Sequence, residues 1–260
     1  MHIREGEAKN YSEVNREAEL AIVDSSAADY DQVVAIPQHL LQSKPEIQTK
    51  ELPFKIRVRE FFINSDVRVR APEDPEPAAA TRGSGTGAVI MEKPKVTDND
   101  KRDVPSAVVE FSTAQGSLGT WLVSEYVNGV QPVVVDGKKY LIAMRPKRIY
   151  KPFTLELLKF QHDVYPGTKI PKNFSSRVLL DRPITGEKRE VLIYMNTPLR
   201  YAGETFYQAS FDQDNHGTVL QVVHNPSWLT PYFSCILVGL GLVIQFMTHL
   251  FGFSFKRRTA

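Results

Sequence analysis

Residues 132–143 read PVVVDGKKYLIA. Asp136-Gly137 stands between a β-branched run and a second run of apolar and aromatic residues. Asp-Gly accepts the positive φ angles that a two-residue hairpin turn requires, so this stretch predicts two antiparallel strands. Working outward, the same style recurs on both sides. Upstream, Ala107–Ser112 (AVVEFS) and Thr120–Val123 (TWLV) flank turn residues over Gln115–Gly119. Downstream, Tyr150–Val164 (YKPFTLELLKFQHDV) places Phe153, Leu155 and Leu157 on one parity and Leu158, Phe160 and His162 on the other. That predicts a long strand whose parity slips at Leu157–Leu158, as at a β-bulge, with a short helix as the alternative. Arg177–Leu180 and Glu190–Met195 form a further hairpin across DRPITGEK. Thr205–Phe211 and Thr218–Val223 close the series, joined by Asp212–Gly217.

Toward the N-terminus, Leu52–Phe62 alternates Phe54, Ile56 and Val58 with Lys55, Arg57 and Arg59, the pattern of a half-buried strand. Leu20–Val23, Gln32–Ile36, Asp66–Arg70 and Ala88–Met91 read as shorter strands. Residues 1–18 are polar and read as irregular, or as a short helix over Ser12–Leu20. Residues 71–87 (APEDPEPAAATRGSGTG) read as a flexible loop, an excursion within one domain rather than a boundary. Strands recurring between turns, without a long amphipathic helix, predict a mainly β chain: an antiparallel β-sandwich or barrel-like domain.

One segment breaks the style. Phe233–Phe255 (FSCILVGLGLVIQFMTHLFGFSF) carries no charged residue, and Lys256, Arg257 and Arg258 follow it. Some twenty apolar residues suffice to cross a bilayer as a helix. The organisation expected is therefore an extracytoplasmic β-rich domain over 1–227, a transmembrane helix over 228–255 and a basic cytoplasmic tail over 256–260. Positive charge on the C-terminal side alone puts that end in the cytoplasm, with Trp228 and Tyr232 as aromatic anchors at the outer interface. The opening MHIREGEAKNYSEVNREAEL has no apolar core and does not read as a signal peptide. An exported domain then needs helices encoded upstream or on a separate chain. The alternative is a tail-anchored protein facing the cytoplasm.

Hydrophobic content of 42% and 24% charge are those of a globular protein, and a net charge of +2 gives no reason to expect a nucleic-acid partner. Cys235 is the one cysteine and lies in the apolar run, which excludes internal disulfides and C-x-x-C or C-x-x-C-H chemistry. The six histidines show no H-E-x-x-H spacing. His2 and His216 read as exposed loop residues, and His162 and His224 as satisfied residues at strand ends. Asp212 and Asp214 read as turn residues, with a cation site as the alternative. Gly83, Gly85 and Gly87 lack the strand–helix context of phosphate binding, and there is no G-x-S-x-G. No catalytic set is recognised. His249 differs from the other histidines because an ionisable group within a membrane segment faces protein or a polar cavity. With Ser234, Gly241, Gln245, Thr248 and Gly252 it falls on one face at helical spacing, a stripe that suits contact with a partner helix. His249 reads as an interhelical hydrogen-bonding group or as an imidazole offered to a haem iron or a proton path.

The stretches YPGTKIPKNFSS (165–176), EVLIYMNTPLRYAGETFYQASF (190–211) and TVLQVVHNPSW (218–228), followed by the apolar run, closely resemble the C-terminal half of ResB (CcsB) family proteins of system II cytochrome c maturation. IREGEAKNY and GSLGTWLVS are similar to that family's extracytoplasmic portion. The resemblance implies several transmembrane helices around a large extracytoplasmic domain in the bacterial cytoplasmic membrane. It implies a ResC/CcsA-type haem-handling partner and delivery of haem, bound at the level of the complex, to apocytochrome c. The chain departs from the pattern in lacking the N-terminal ResB helices, where a family haem-ligand histidine is expected. Within the quoted block, Pro198 and Gly203 are expected to bracket a turn that lets the strands of Met195 and Phe206 return, with Asn196 suited to the turn. Tyr201 belongs to the same block, and Tyr207 and Gln208 are expected to point in opposite directions. These readings give an accessory, non-catalytic factor of haem attachment, with a membrane-tethered envelope scaffold that never meets haem as the alternative. An envelope hydrolase is a third class, for which no convergent residues are found.

Overall fold

The computed structural model describes residues 1–260 except 28–29, 72, 75–79, 99–100, 128, 168–170 and 259–260. In chain order the elements begin with β1 (His2–Arg4), β2 (Ala8–Asp24), β3 (Gln32–Pro37), α1 (Gln38–Ser43), β4 (Glu46–Ile47), β5 (Lys55–Phe62), β6 (Ser65–Val69) and β7 (Ala88–Glu92). They continue with β8 (Ser106–Thr113), β9 (Gly116–Ser124), β10 (Gln131–Val135), β11 (Lys138–Val164), β12 (Pro171–Arg182) and β13 (Glu187–Tyr194). The last are β14 (Leu199–Tyr201), β15 (Glu204–Phe211), β16 (Gly217–His224) and α2 (Thr230–Arg258). The chain is mainly antiparallel β with one C-terminal apolar helix, as its alternating and turn-punctuated sequence predicts.

Contacts divide the chain into unit 1, residues Met1–Asn10 with Lys151–Ala260, and unit 2, Tyr11–Tyr150. The division does not fall at 71–87. It falls within β2 and β11, each of which contributes to both units. In unit 2, β11 pairs with β10 and β2, β2 with β3, and a second sheet runs β4-β5-β8-β9. The Asp136-Gly137 turn has φ values of 50° and 77°, the left-handed pair that a two-residue hairpin needs. The core of this unit is aromatic at its centre. Phe54 meets Phe111 and Tyr140 edge to face, at centroid separations of 5.3 and 5.2 Å, and Phe111 meets Trp121 at 5.2 Å.

Three expectations are corrected in unit 2. Ser12–Leu20 is neither irregular nor helical but lies inside β2. The loop reading of 71–87 fails for its second half. Gly83–Gly87 forms a 3-10 turn, Ala80 and Gly85 are buried, and the backbone N–H groups of Thr81 and Arg82 donate to the Thr120 carbonyl at 3.0 Å. The expected turn over Gln115–Gly119 is shorter than predicted, because Gly116 already begins β9.

In unit 1 one sheet runs β13-β12-β11 and the other β1-β16-β15-β14. Ile3, Phe153, Leu155, Leu157, Phe160, Leu180, Ile193, Phe206 and Leu220 are among the residues of a core separate from that of unit 2. The parity slip is a bulge, as expected. Pairing passes from Leu157–Val178 to Lys159–Arg177, leaving Leu158 as the extra residue. Leu157 is fully buried while Leu158 is exposed, so the bulge keeps both Leu157 and Phe160 in the core. On its other edge Leu157 holds the N-terminal segment: Gly6 N–H donates to its carbonyl at 2.8 Å and its own N–H donates to Glu7 O at 3.1 Å.

Candidate functional site

Thr230–Phe251 of α2 is long and apolar enough to cross a membrane, with a mean hydropathy of 1.9 and nothing buried against it among the described residues. Ser234, Gly241, Gln245, Thr248 and His249 lie along this helix at three-to-four spacing. Gly252 and residues 256–258 of the basic tail belong to the same helix, but their surroundings, and residues 259–260, lie outside what the structure describes. The stripe is less polar than its sequence suggests. The Ser234 hydroxyl donates to the Thr230 carbonyl at 3.1 Å, and the Thr248 hydroxyl to the Gln245 carbonyl at 2.8 Å. These bonds satisfy both hydroxyls within the helix. Gln245 and His249 are left as the groups able to bond outward, framed by Leu242, Phe246 and Leu250. A single imidazole on an apolar face can supply one axial ligand to a haem iron or one hydrogen bond to a neighbouring helix. At the start of the helix, Trp228 just before it and Tyr232 in its first turn meet edge to face at 6.1 Å, and both are exposed.

The block resembling ResB is distributed over unit 1, and the structure gives its residues mostly architectural roles. Asn196 has φ 63°, and the turn it closes is held by reciprocal bonds between Tyr194 and Thr197. The single turn expected between Pro198 and Gly203 is instead a short strand, β14, because Leu199 is buried and pairs with Phe206. A second tight turn follows at Ala202-Gly203, with φ values of 51° and 79°. The Tyr201 hydroxyl donates to Glu187 Oε2 at 2.6 Å, and its ring meets Phe153 edge to face at 4.9 Å. That hydroxyl, followed by Arg189, holds the Glu187 carboxyl below the ordinary glutamate range.

Phe206 is fully buried, Tyr207 is 40% exposed, and Gln208 points inward, so the expected alternation holds. Gln208 Nε2 donates to Thr218 Oγ1 at 2.7 Å, and the Ser176 hydroxyl donates to Gln208 Oε1 at 2.6 Å. Ser176 and Thr218 are fully buried and also lie 2.9 Å apart, hydroxyl to hydroxyl, so Gln208 completes a small polar network between the strands. A second bulge, between Gln208 and Ser210, was readable from the odd spacing of Phe206 and Phe211. Tyr207 is one of the large exposed side chains of the block, with Leu192, Tyr194 and Met195.

Sequence reasoning missed a polar cluster at the other end of β16. His2 lies on β1 rather than in a loop, and its Nε2 is 2.9 Å from Asp212. His216 Nδ1 is 3.1 Å from Glu5 Oε2. Arg4 pairs with Asp214 and, at 3.7 Å, with Asp212. His162 Nδ1 is 3.0 Å from Asn215 Oδ1 and its ring lies 4.4 Å from Phe211, while its buried Nε2 has no partner among the described residues. Asp212 and Asp214 therefore clamp the N-terminal strand. Among the described residues, no group of three or more His, Cys, Asp or Glu is arranged to hold a metal ion.

The Glu5 carboxylate accepts from the Phe160 N–H at 2.7 Å, which with His216 lowers its pKa. The His216 N–H and Arg4 lower that of Asp214. Groups whose folded pKa is depressed stabilise the fold above their unfolded values and lose that contribution as pH falls through the folded ones. The melting temperature is therefore expected to fall as pH drops below about 4, and to change little between about pH 6 and about pH 5. Glu5→Gln with Asp214→Asn should flatten the acid limb, and an unchanged limb would remove these carboxylates from the account.

The profile of the ResB-like family matches residues 113–219, from the end of β8 into β16. The protein NrfI of Wolinella succinogenes is 36% identical over 109 residues, which are 42% of this chain. The matched stretch spans 12% of that protein's length. The family match contains the block around Asn196–Gln208 and stops before α2.

Proposed function

We propose that the chain, whose residues 113–219 match the ResB-like family, serves cytochrome c biogenesis as a membrane-anchored, non-catalytic part of a system II haem-delivery complex. The family match is the observation that carries this reading. Units 1 and 2 lie outside the cytoplasm, α2 crosses the cytoplasmic membrane, and the basic tail is cytoplasmic. The charge asymmetry about the apolar run supports that direction. Haem belongs to the complex, and the partners are a ResC/CcsA-type haem-handling protein, ResB-type N-terminal helices and apocytochrome c.

The Gln245–His249 face of α2 is the contact surface for those helices. The apolar side chains around His249 support the reading that a porphyrin edge would lie there, with His249 as the nitrogen ligand. Tyr207 offers the corresponding surface on unit 1. Co-purification of the chain with a ResC-type protein, with a haem Soret band, is the expected result. Neither partner nor haem in the purified complex would favour an envelope scaffold. His249→Ala should remove the Soret band, and added imidazole should restore it. Unchanged haem content with a weakened complex would leave His249 with helix contact alone.

A further inference from the structure

The turn between β12 and β13 is tight and defined: Thr185 N–H donates to Arg182 O at 3.1 Å, Gly186 N–H to Pro183 O at 3.3 Å, and Gly186 has φ 68°. It holds Ile184 82% exposed. A single exposed apolar residue is ordinary on a soluble surface, so its position decides its meaning. Three links place this turn at the end of unit 1 from which the chain leaves for α2. Glu187, the first residue of β13, accepts the Tyr201 hydroxyl at 2.6 Å. Tyr201 opens the Ala202-Gly203 turn, which leads to Glu204, the partner of His224 in the β15–β16 register. A Cβ built on Gly203 would lie 3.9 Å from the His224 ring.

From His224 only four residues lead to Trp228, a span of at most roughly 14 Å for an extended chain. Trp228 and Tyr232 are the residue types that settle at the headgroup level of a bilayer. The end of β16 is thus tethered close to that level, while the Asp212–Gly217 loop is one strand-length away, about 24 Å along β16. We propose that the Arg182–Glu187 turn rests on the lipid surface, with Ile184 entering the headgroup region. This rests on the reading that α2 crosses a bilayer.

Charge does not choose the lipid. Lys188 faces Asp181 at 3.6 Å and Arg189 faces Glu187 at 2.9 Å, so the two basic residues that follow the turn are paired. The contact is apolar, and it requires neither anionic headgroups nor low salt.

The test uses the full chain in phosphatidylcholine vesicles carrying nitroxide-labelled lipid. A bimane fluorophore is placed at Ile184→Cys or Gln213→Cys, each with Cys235→Ser, or on the native Cys235. Headgroup nitroxide should quench residue 184 several-fold more than residue 213, with little change on adding phosphatidylserine. Equal quenching at 184 and 213 would overturn the proposal, as would quenching at 184 that needs phosphatidylserine. The label at Cys235 distinguishes the two readings. Quenching there by acyl-chain nitroxide with none at 184 sinks the surface contact alone. No quenching at Cys235 removes the membrane helix and the contact with it.

Discussion

Phe206→Ala is expected to destabilise unit 1 by about 3–5 kcal/mol, the usual cost of emptying an aromatic site in a packed core. The site has little room to collapse. Phe206 is fully buried and meets Phe153 edge to face at 6.0 Å. Its strand neighbours are Leu199 on β14 and Val222 on β16. The ammonium of Lys151, itself buried, lies over the ring at 6.0 Å from its centroid and pairs with Glu204 at 2.6 Å. Truncation therefore removes apolar contact and loosens a buried cation at once. Denaturant unfolding with amide exchange at β15 and β16 measures the effect. Phe206→Leu, which refills most of the volume, should recover the larger part. A loss below about 1 kcal/mol would show that the two sheets of unit 1 do not meet at this residue.

Gly85→Ala is the second large effect, expected in unit 2. A Cβ at Gly85 would stand 2.4 Å from Leu122 Cβ, 2.9 Å from Ala80 Cβ and 3.1 Å from Leu122 N. Those atoms belong to the start of a side chain or to the backbone, so none can swing aside. The 3-10 turn must lift from β9, at a cost of about 1–3 kcal/mol for overpacking of this kind. Gly87→Ala is the internal control, since its Cβ would meet nothing within 4 Å. Equal stability of the two variants in thermal melts would contradict the packed turn.

This glycine shows where the sequence stops being legible. GSGTG reads as flexible because small residues form no periodic pattern. Gly85 is small because β9 passes close by, and the identity of a distant neighbour is not written locally. The N-terminal half of β2 was missed for a related reason. Most residues of Ala8–Glu17 are exposed or only partly buried, so there is no apolar alternation to read. Backbone pairing within its sheet makes it a strand, a tertiary effect overriding local pattern. His2 and His216 find carboxylates more than 200 residues away, which no local motif announces.

Features set by local chemistry were legible. Asp136-Gly137 turns because both positions accept positive φ. The double leucine at 157–158 signals its bulge through broken parity. The apolar run makes α2 through composition alone. The two units were not legible, because the first ten residues belong to unit 1 with a segment that begins only at Lys151, while the chain between them makes unit 2. The candidate site was half readable: the helical spacing of its residues could be read from the sequence, but the inward bonds of Ser234 and Thr248, which leave Gln245 and His249 as outward polar groups, needed the helix itself.

The central claim is the role in cytochrome c maturation. Its most direct measurement is haem staining of c-type cytochromes in cells lacking this chain, beside immunodetection of the exported apoprotein. The account predicts that holocytochrome c disappears while apocytochrome c still reaches the far side of the membrane, and that the intact chain restores staining. Normal holocytochrome c in the deletion strain would contradict it.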